Sequence, residues 1–100
     1  MSDEQTAEER FEAVTMRGIQ EGKRLGYNPT RYLMTVKERG AVGAAKQVLR
    51  EGPIPDGFTT LAHLHQRPDL TTEYTALIPE FRELFTEAEL AIAERRLTGR

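Results

Sequence analysis

Residues 27–50 carry the sharpest structural signals in the chain, and they point to helices. Asn28 followed by Pro29 is typical of a helix start, because asparagine caps the first backbone amides and proline has its φ preset. We predict a helix over residues 29–39 that Gly40 closes in the left-handed conformation. A second helix, over residues 41–49, should follow directly after this tight turn.

The rest of the chain repeats such signals and shows no period-two alternation of the kind a half-buried strand requires. Thr6 and Thr86 are each followed three residues later by glutamate, which is the spacing of a capping box. Prolines and an irregular loop at residues 53–57 separate shorter helices. The predicted fold class is therefore all-α, a compact bundle of about three longer and three short helices. Further predicted bounds are 6–25, 58–65, 70–78, 79–85 and 86–97.

Two glycines lie on the apolar face of the first predicted helix. Gly18 and Gly22 recur there with Phe11 and Val14 at spacings of three and four residues. Each costs about 1 kcal/mol relative to alanine inside a helix. Either another backbone approaches this face closely, or the second half of the helix is weak and frayed.

Size and composition indicate one soluble domain. The chain has 100 residues, of which 38% are hydrophobic and 30% charged, and it has no cysteine. We expect a disordered tail at residues 1–5 and a single helical domain over residues 6–100. No apolar run is long enough for a membrane span, and the acidic N-terminus is unlike a secretory signal. We therefore expect a cytoplasmic location and no contact with a membrane.

Charge is distributed unevenly along the chain. The net charge is −4 over residues 1–16, +6 over residues 17–50 and −4 over residues 51–100. Either the acidic segments fold against the basic one, or a basic face meets an anionic partner such as nucleic acid. The second possibility would give salt-dependent contacts to phosphates. The eight candidate nucleic-acid-binding residues are Arg17, Lys23, Arg24, Arg31, Lys37, Arg39, Lys46 and Arg50.

The residues needed for catalysis are scarce. The only serine, Ser2, falls in the predicted tail, and there is no cysteine. His63 and His65 are two residues apart, so on a helix they point about 200° away from each other and cannot bind one metal ion. Acidic residues cluster at helix starts, where capping and the helix dipole account for them: Glu8, Glu9, Glu87 and Glu89. We predict a non-enzyme with no catalytic residues, no metal and no cofactor.

Residues 33–49 resemble the first part of a helix-turn-helix of the LysR type. In that motif a helix ends at a glycine, and the next helix contains a closely packed pair of alanines, here Ala44 and Ala45. The resemblance implies contact with DNA. A recognition helix should then follow within a few residues and carry polar side chains toward the bases. The loop at residues 53–57 intervenes, so sequence-specific base contacts are not expected.

A longer series of motifs resembles a small uncharacterised bacterial all-helical family, over about residues 18–97. Its members look like stand-alone proteins or tails on HNH-type or restriction-type nucleases. The resemblance implies a helical accessory module near DNA-processing machinery, without catalytic residues. The motifs that carry it are residues 26–33, 38–42, 44–49, 57–61 and 80–90.

Two functional hypotheses remain open. The first is a non-catalytic accessory or protein-interaction module, linked to bacterial DNA-processing or defence proteins. It would offer an apolar groove between the short C-terminal helices to a protein partner, or form a homodimer through the glycine-lined face of the first helix. The alternative is an auxiliary, helix-turn-helix-like domain that binds nucleic acid through its phosphates.

Overall fold

The computed structural model describes residues 5–99, and within that range every regular element is helical. The predicted all-α class is confirmed. Four residues of the predicted tail, residues 1–4, lie outside the described range, as does residue 100. The α-helices are α1 (Ala7–Arg24), α2 (Thr30–Val48), α3 (Asp56–Thr59), α4 (Thr72–Leu77) and α5 (Glu87–Thr98). A π-helical turn (Thr60–Leu64) follows α3, and 3₁₀ turns (Pro68–Leu70 and Pro79–Leu84) flank α4.

Both predicted capping boxes are present. The Thr6 hydroxyl accepts from the Glu9 amide at 3.1 Å, and the Glu9 carboxylate accepts from the Thr6 amide at 2.8 Å. Thr86 and Glu89 repeat the same two bonds at the start of α5. Each box satisfies amides that have no partner inside the helix. These local bonds explain why α1 and α5 begin where the sequence predicts.

The start and the middle of α2 differ from the prediction. Pro29 stands at the cap position, and no side chain caps the helix, so the expected role of Asn28 is wrong. The Asn28 carbonyl instead accepts from the Thr30 amide at 3.0 Å. Gly40 separates the two helical segments with φ 80° and ψ 166°. Its φ is positive as expected, but its ψ is extended rather than left-handed helical, a conformation essentially restricted to glycine.

The predicted loop at residues 53–57 ends earlier than expected. Helix α3 begins at Asp56, because the Pro55 carbonyl accepts from the amides of Phe58 and Thr59 at 3.1 and 3.3 Å. The chain then widens into the π-helical turn instead of continuing as the predicted α-helix. Helix α4 is capped by Thr71, whose hydroxyl accepts from the Tyr74 amide at 3.1 Å.

A cluster of aromatic rings and small side chains forms the core. The ring of Phe11 on α1 meets those of Phe81 and Phe85 edge-on, with centroids 5.2 and 5.4 Å away. Ala44 and Ala45 are fully buried and belong to the same cluster. Because alanine adds little bulk, the second segment of α2 can approach its neighbours closely.

The glycine face of α1 is packed within the chain. A Cβ atom on Gly22 would lie 3.5 Å from the Tyr27 ring and 3.8 Å from the Leu61 side chain. One on Gly18 would lie 3.9 Å from the Leu70 carbonyl oxygen, so a backbone does pass this face. Helix α1 is continuous to Arg24, which contradicts fraying. Within residues 5–99, no helix is long and apolar enough to cross a bilayer.

Candidate anion-binding cleft

A large open cleft of about 1610 Å³, which we call the main cleft, lies on the described part of the chain. Residues from α1 and both ends of α2 line one part of it. The other part is lined by residues from the segments at 50–58 and 67–75. Residues of the short helices, between which the sequence predicted a groove, contribute to this lining at 58–61 and 70–75. The main cleft also lies against the basic middle of the sequence.

Five of the eight predicted basic residues line the main cleft. Two further arginines, Arg67 and Arg96, line it as well, although they come from the acidic C-terminal half. No local pattern distinguishes these two in the sequence, because only the tertiary fold brings them to the cleft. The five predicted residues are Arg17, Lys23, Arg24, Arg31 and Arg50.

The other three predicted residues lie elsewhere. Lys37 and Arg39 are exposed near the Gly40 break and do not line the main cleft. The Lys46 ammonium binds the Glu89 carboxylate at 2.9 Å and lies 5.4 Å from the centroid of the Phe85 ring. The eight residues therefore do not form one continuous stripe, and the structure brings only part of the candidate set together.

Five acidic residues also line the main cleft, and four of them are held in ion pairs. Glu73 binds Arg96 at 2.8 Å, and Glu51 binds Arg95 at 3.0 Å. The pairs of the other two, Glu21 and Asp69, involve arginines of the cleft itself. Only Asp56 makes no ion pair within the described residues. The five acids are Glu21, Glu51, Asp56, Asp69 and Glu73.

A network of four side chains joins the two parts of the main cleft. Glu21 accepts from Arg24 Nε at 3.0 Å and from Arg67 Nη1 at 3.2 Å. Arg67 also donates to both carboxylate oxygens of Asp69, at 3.0 and 3.1 Å. The bonds from Arg24 and then Arg67 lower the pKa of Glu21 to about 2. The bond from Arg67 likewise lowers the pKa of Asp69.

The remaining charges give the main cleft a positive balance. Four of its bases form no ion pair with any carboxylate of residues 5–99. Asp56 is the one acid of the main cleft that forms no ion pair within those residues. A cleft lined by an excess of one sign of charge raises the local concentration of the opposite sign. The unpaired bases are Arg17, Lys23, Arg31 and Arg50.

Between these charges the lining is apolar and aromatic. Phe58, Leu61, Tyr27 and Tyr32 all contribute to it. The Tyr27 hydroxyl lies so close to Gly57 that a Cβ atom there would be 2.5 Å away. Burial, and then the nearby Asp56 charge, raise the pKa of Tyr27. The main cleft thus offers apolar contact area beside its positive charges.

Neither histidine lies in this cleft. His63 is exposed and meets the Phe58 ring edge-on at 5.8 Å, and His65 is half-buried. In the part of the chain that the structure describes, no three metal-ligating side chains come together. The helical run at residues 56–64 has an acid at its start and no arginine, lysine, asparagine or glutamine. It therefore lacks the side chains that make the usual contacts with the edges of guanine and adenine.

Comparison with protein-family models, with curated proteins and with solved structures finds no match for this chain. Both resemblances drawn from the sequence motifs therefore stay predictions. The unpaired charges and the apolar side chains lie together in the lining of the main cleft.

Proposed function

We propose that the protein is a non-catalytic binding module that holds an acidic segment of a partner protein in the main cleft. The observation that carries this proposal is the imbalance of unpaired charge, four bases against one acid, around an apolar lining. Carboxylates of a partner would meet the bases, and its apolar side chains would contact the lining. Charge complementarity of this kind favours association and suppresses wrong partners.

The dimensions of the main cleft favour a polypeptide over a small metabolite. Pockets for small molecules commonly enclose about 300–1,000 Å³. The main cleft is larger, at about 1610 Å³, and it is open to solvent. A short amphipathic helix or an extended segment could lie in it, with acidic residues toward Arg17 and Arg31 and apolar residues toward Tyr27 and Leu61.

A nucleic-acid backbone is the second candidate occupant. The same unpaired bases could contact phosphates, and such contacts need no base-reading helix. Lys37, Arg39 and Lys46 lie away from the main cleft, however, which shortens the track that a phosphate backbone could follow. Asp56 adds a repulsive charge within it. These features favour the acidic polypeptide.

Fluorescence anisotropy separates the two candidates. The probe is a labelled amphipathic peptide of about twelve residues, rich in glutamate and leucine, and the competitor is duplex DNA at about 50 mM salt. We expect saturable binding of the peptide and weak competition by DNA. Absence of peptide binding by the wild-type protein would overturn the proposal. Strong competition by DNA, with a steep dependence on salt, would support the nucleic-acid alternative instead.

A matched pair of double variants tests the location. Arg17→Glu with Arg31→Glu reverses two charges in the main cleft, and Lys37→Glu with Arg39→Glu reverses two outside it. All four side chains are exposed and make no ion pair within residues 5–99, so both variants should fold. We expect about tenfold weaker peptide binding for the first variant and about twofold or less for the second. Equal losses would show that only the overall charge matters.

A further inference from the structure

We infer that the Glu21 carboxylate occupies an anion subsite of the main cleft and competes there with the acidic group of the partner. This inference rests on the proposed function, because it assumes that the main cleft receives anions. It adds a mechanism that sets the affinity for the ligand. The Glu21 carboxylate is bound by Arg24 and Arg67 in the free protein, and a ligand anion must displace it from these two arginines. The ligand group is a carboxylate of the partner's acidic segment.

The helical spacing of α1 concentrates positive charge around Glu21. Arg17 precedes it by four residues and Arg24 follows it by three, so all three side chains lie on one face of the helix. Arg67 reaches the same carboxylate from the opposite part of the main cleft, at 3.2 Å. Two guanidinium groups, those of Arg24 and Arg67, therefore hold one position that any anion of similar size could take, and Arg17 adds a positive charge on the same face of α1.

Arg67 would stay in place if Glu21 left. It is held independently by Asp69, which accepts from Arg67 Nε and Nη2 in a paired geometry. Two parallel bonds of this kind fix the plane of a guanidinium group. The remaining Arg67 nitrogen, Nη1, would then point at the position that Glu21 had vacated. The subsite is thus preorganised, and its filling by Glu21 is not required to build it.

The contacts of Glu21 are accessible to water. The exposed fractions are 30% for the Glu21 side chain, 35% for Arg67 and 69% for Arg24. Ion pairs of this accessibility are weak, because water and salt compete with them. A ligand carboxylate or phosphate can therefore replace the Glu21 carboxylate at small cost, while Glu21 still lowers the affinity for a ligand that binds only weakly.

The test uses inorganic pyrophosphate and the full chain. NMR resonances of the Arg24 and Arg67 Nε–H groups would be followed during titration of the wild-type protein and of Glu21→Gln. We expect pyrophosphate to bind Glu21→Gln about fivefold more tightly and to shift both resonances. Circular dichroism checks that α1 remains folded in the variant.

Two control variants remove the same charge without releasing these arginines. Glu51→Gln frees Arg95, which does not line the main cleft, and Asp56→Asn removes an acid that makes no ion pair. Both should tighten pyrophosphate binding by about twofold or less. Equal tightening in all three variants, or no movement of the arginine resonances, would overturn the inference.

The labelled acidic peptide distinguishes the two proposals. If it binds and Glu21→Gln strengthens its binding about as much as that of pyrophosphate, the subsite accepts carboxylates. If the wild-type protein ignores the peptide while Glu21→Gln still gains pyrophosphate affinity selectively, the proposed function fails and the subsite stands with a phosphate as its ligand.

Discussion

Two ion-pair systems in this protein use the same chemical groups in opposite surroundings. Glu73 and Arg96 lie 2.8 Å apart with side chains only 2% and 7% exposed. Glu21 and Arg67 lie 3.2 Å apart with side chains 30% and 35% exposed. Water therefore screens the second pair far more than the first. Although the groups are alike, the first pair cannot exchange its partner for an ion from solution, and the second can.

The surroundings of Arg96 explain what the buried pair does. Besides binding Glu73, it donates to the carbonyls of Val48 at 2.9 Å and Arg50 at 2.7 Å. The last carbonyls of a helix have no partner within it, so Arg96 satisfies the end of α2 from α5. It thereby joins three helices, including α4 through Glu73. The buried pair is structural, whereas the exposed network around Glu21 is open to ligands.

Removing Arg96 should have the largest effect on stability. Arg96→Met would leave the Glu73 carboxylate buried without its partner and remove the donor to two carbonyls. We expect the free energy of unfolding to fall by about 3–5 kcal/mol. Denaturant titration would measure it, with Arg67→Met as the matched control in the exposed network. The control should move the unfolding midpoint far less.

A double variant sharpens this result. Replacing both partners, with Glu73→Leu and Arg96→Met, removes the unpaired buried charge that makes the single change costly. The double variant should regain part of the stability that Arg96→Met loses, since apolar pairs often replace buried ion pairs without loss. If the double variant were less stable than the single one, the contacts of Arg96 with the carbonyls would outweigh its pairing with Glu73.

Lys46 and Glu89 form a pair of intermediate exposure and should give an intermediate effect. Burial would raise the pKa of Glu89, but the Thr86 amide and Lys46 offset this and hold the pKa below its usual value. Glu89→Ala would lose the capping bond at 2.8 Å and the ion pair at 2.9 Å. We expect about 1 kcal/mol less stability by thermal unfolding.

Glu87 provides the control for that prediction. It lies in the same first turn of α5 and is exposed, but it takes no part in the capping box. Glu87→Ala should therefore cost only the small interaction of its charge with the helix dipole, a few tenths of a kcal/mol. Equal losses for the two substitutions would mean that charge alone, and not the capping bond, stabilises the start of α5.

The sequence predicted the elements whose signals are local. Thr6 with Glu9, and Thr86 with Glu89, form their capping bonds within four residues, so no tertiary information was needed. The break at Gly40 was also predicted. Its ψ was not, because a glycine at a helix end can adopt several conformations with positive φ. The start of α3 at Asp56 was missed, since the surrounding prolines and glycines suggested a loop more strongly than a helix.

The candidate site was predictable only in part, because it depends on packing. Net charge along the chain identified the basic segment, but it could not show which face of α2 each base would occupy. Lys37 and Arg39 consequently fall outside the main cleft. Arg67 and Arg96 were missed for the converse reason, since they lie in an acidic stretch and reach the cleft only through the fold. The ion pairs that the acids of the main cleft form with arginines could not be predicted from the sequence either.

The smallest expected effect is the pH dependence that Glu21 confers on stability. Its pKa is about 2 in the folded protein, against 4.5 ordinarily, because Arg24 and Arg67 hold the charged form. The unfolded chain therefore takes up this proton first, and the stabilisation present above about pH 4.5 is lost progressively as the pH falls toward 2. Denaturant midpoints of the wild-type protein and Glu21→Gln should differ slightly at neutral pH and converge in that window. A difference that stayed constant down to about pH 2 would mean that Glu21 acts through its packing and not through its charge. In that case it would be a poor competitor for an anionic ligand, and the contrast with the buried pair of Glu73 would lose its functional meaning.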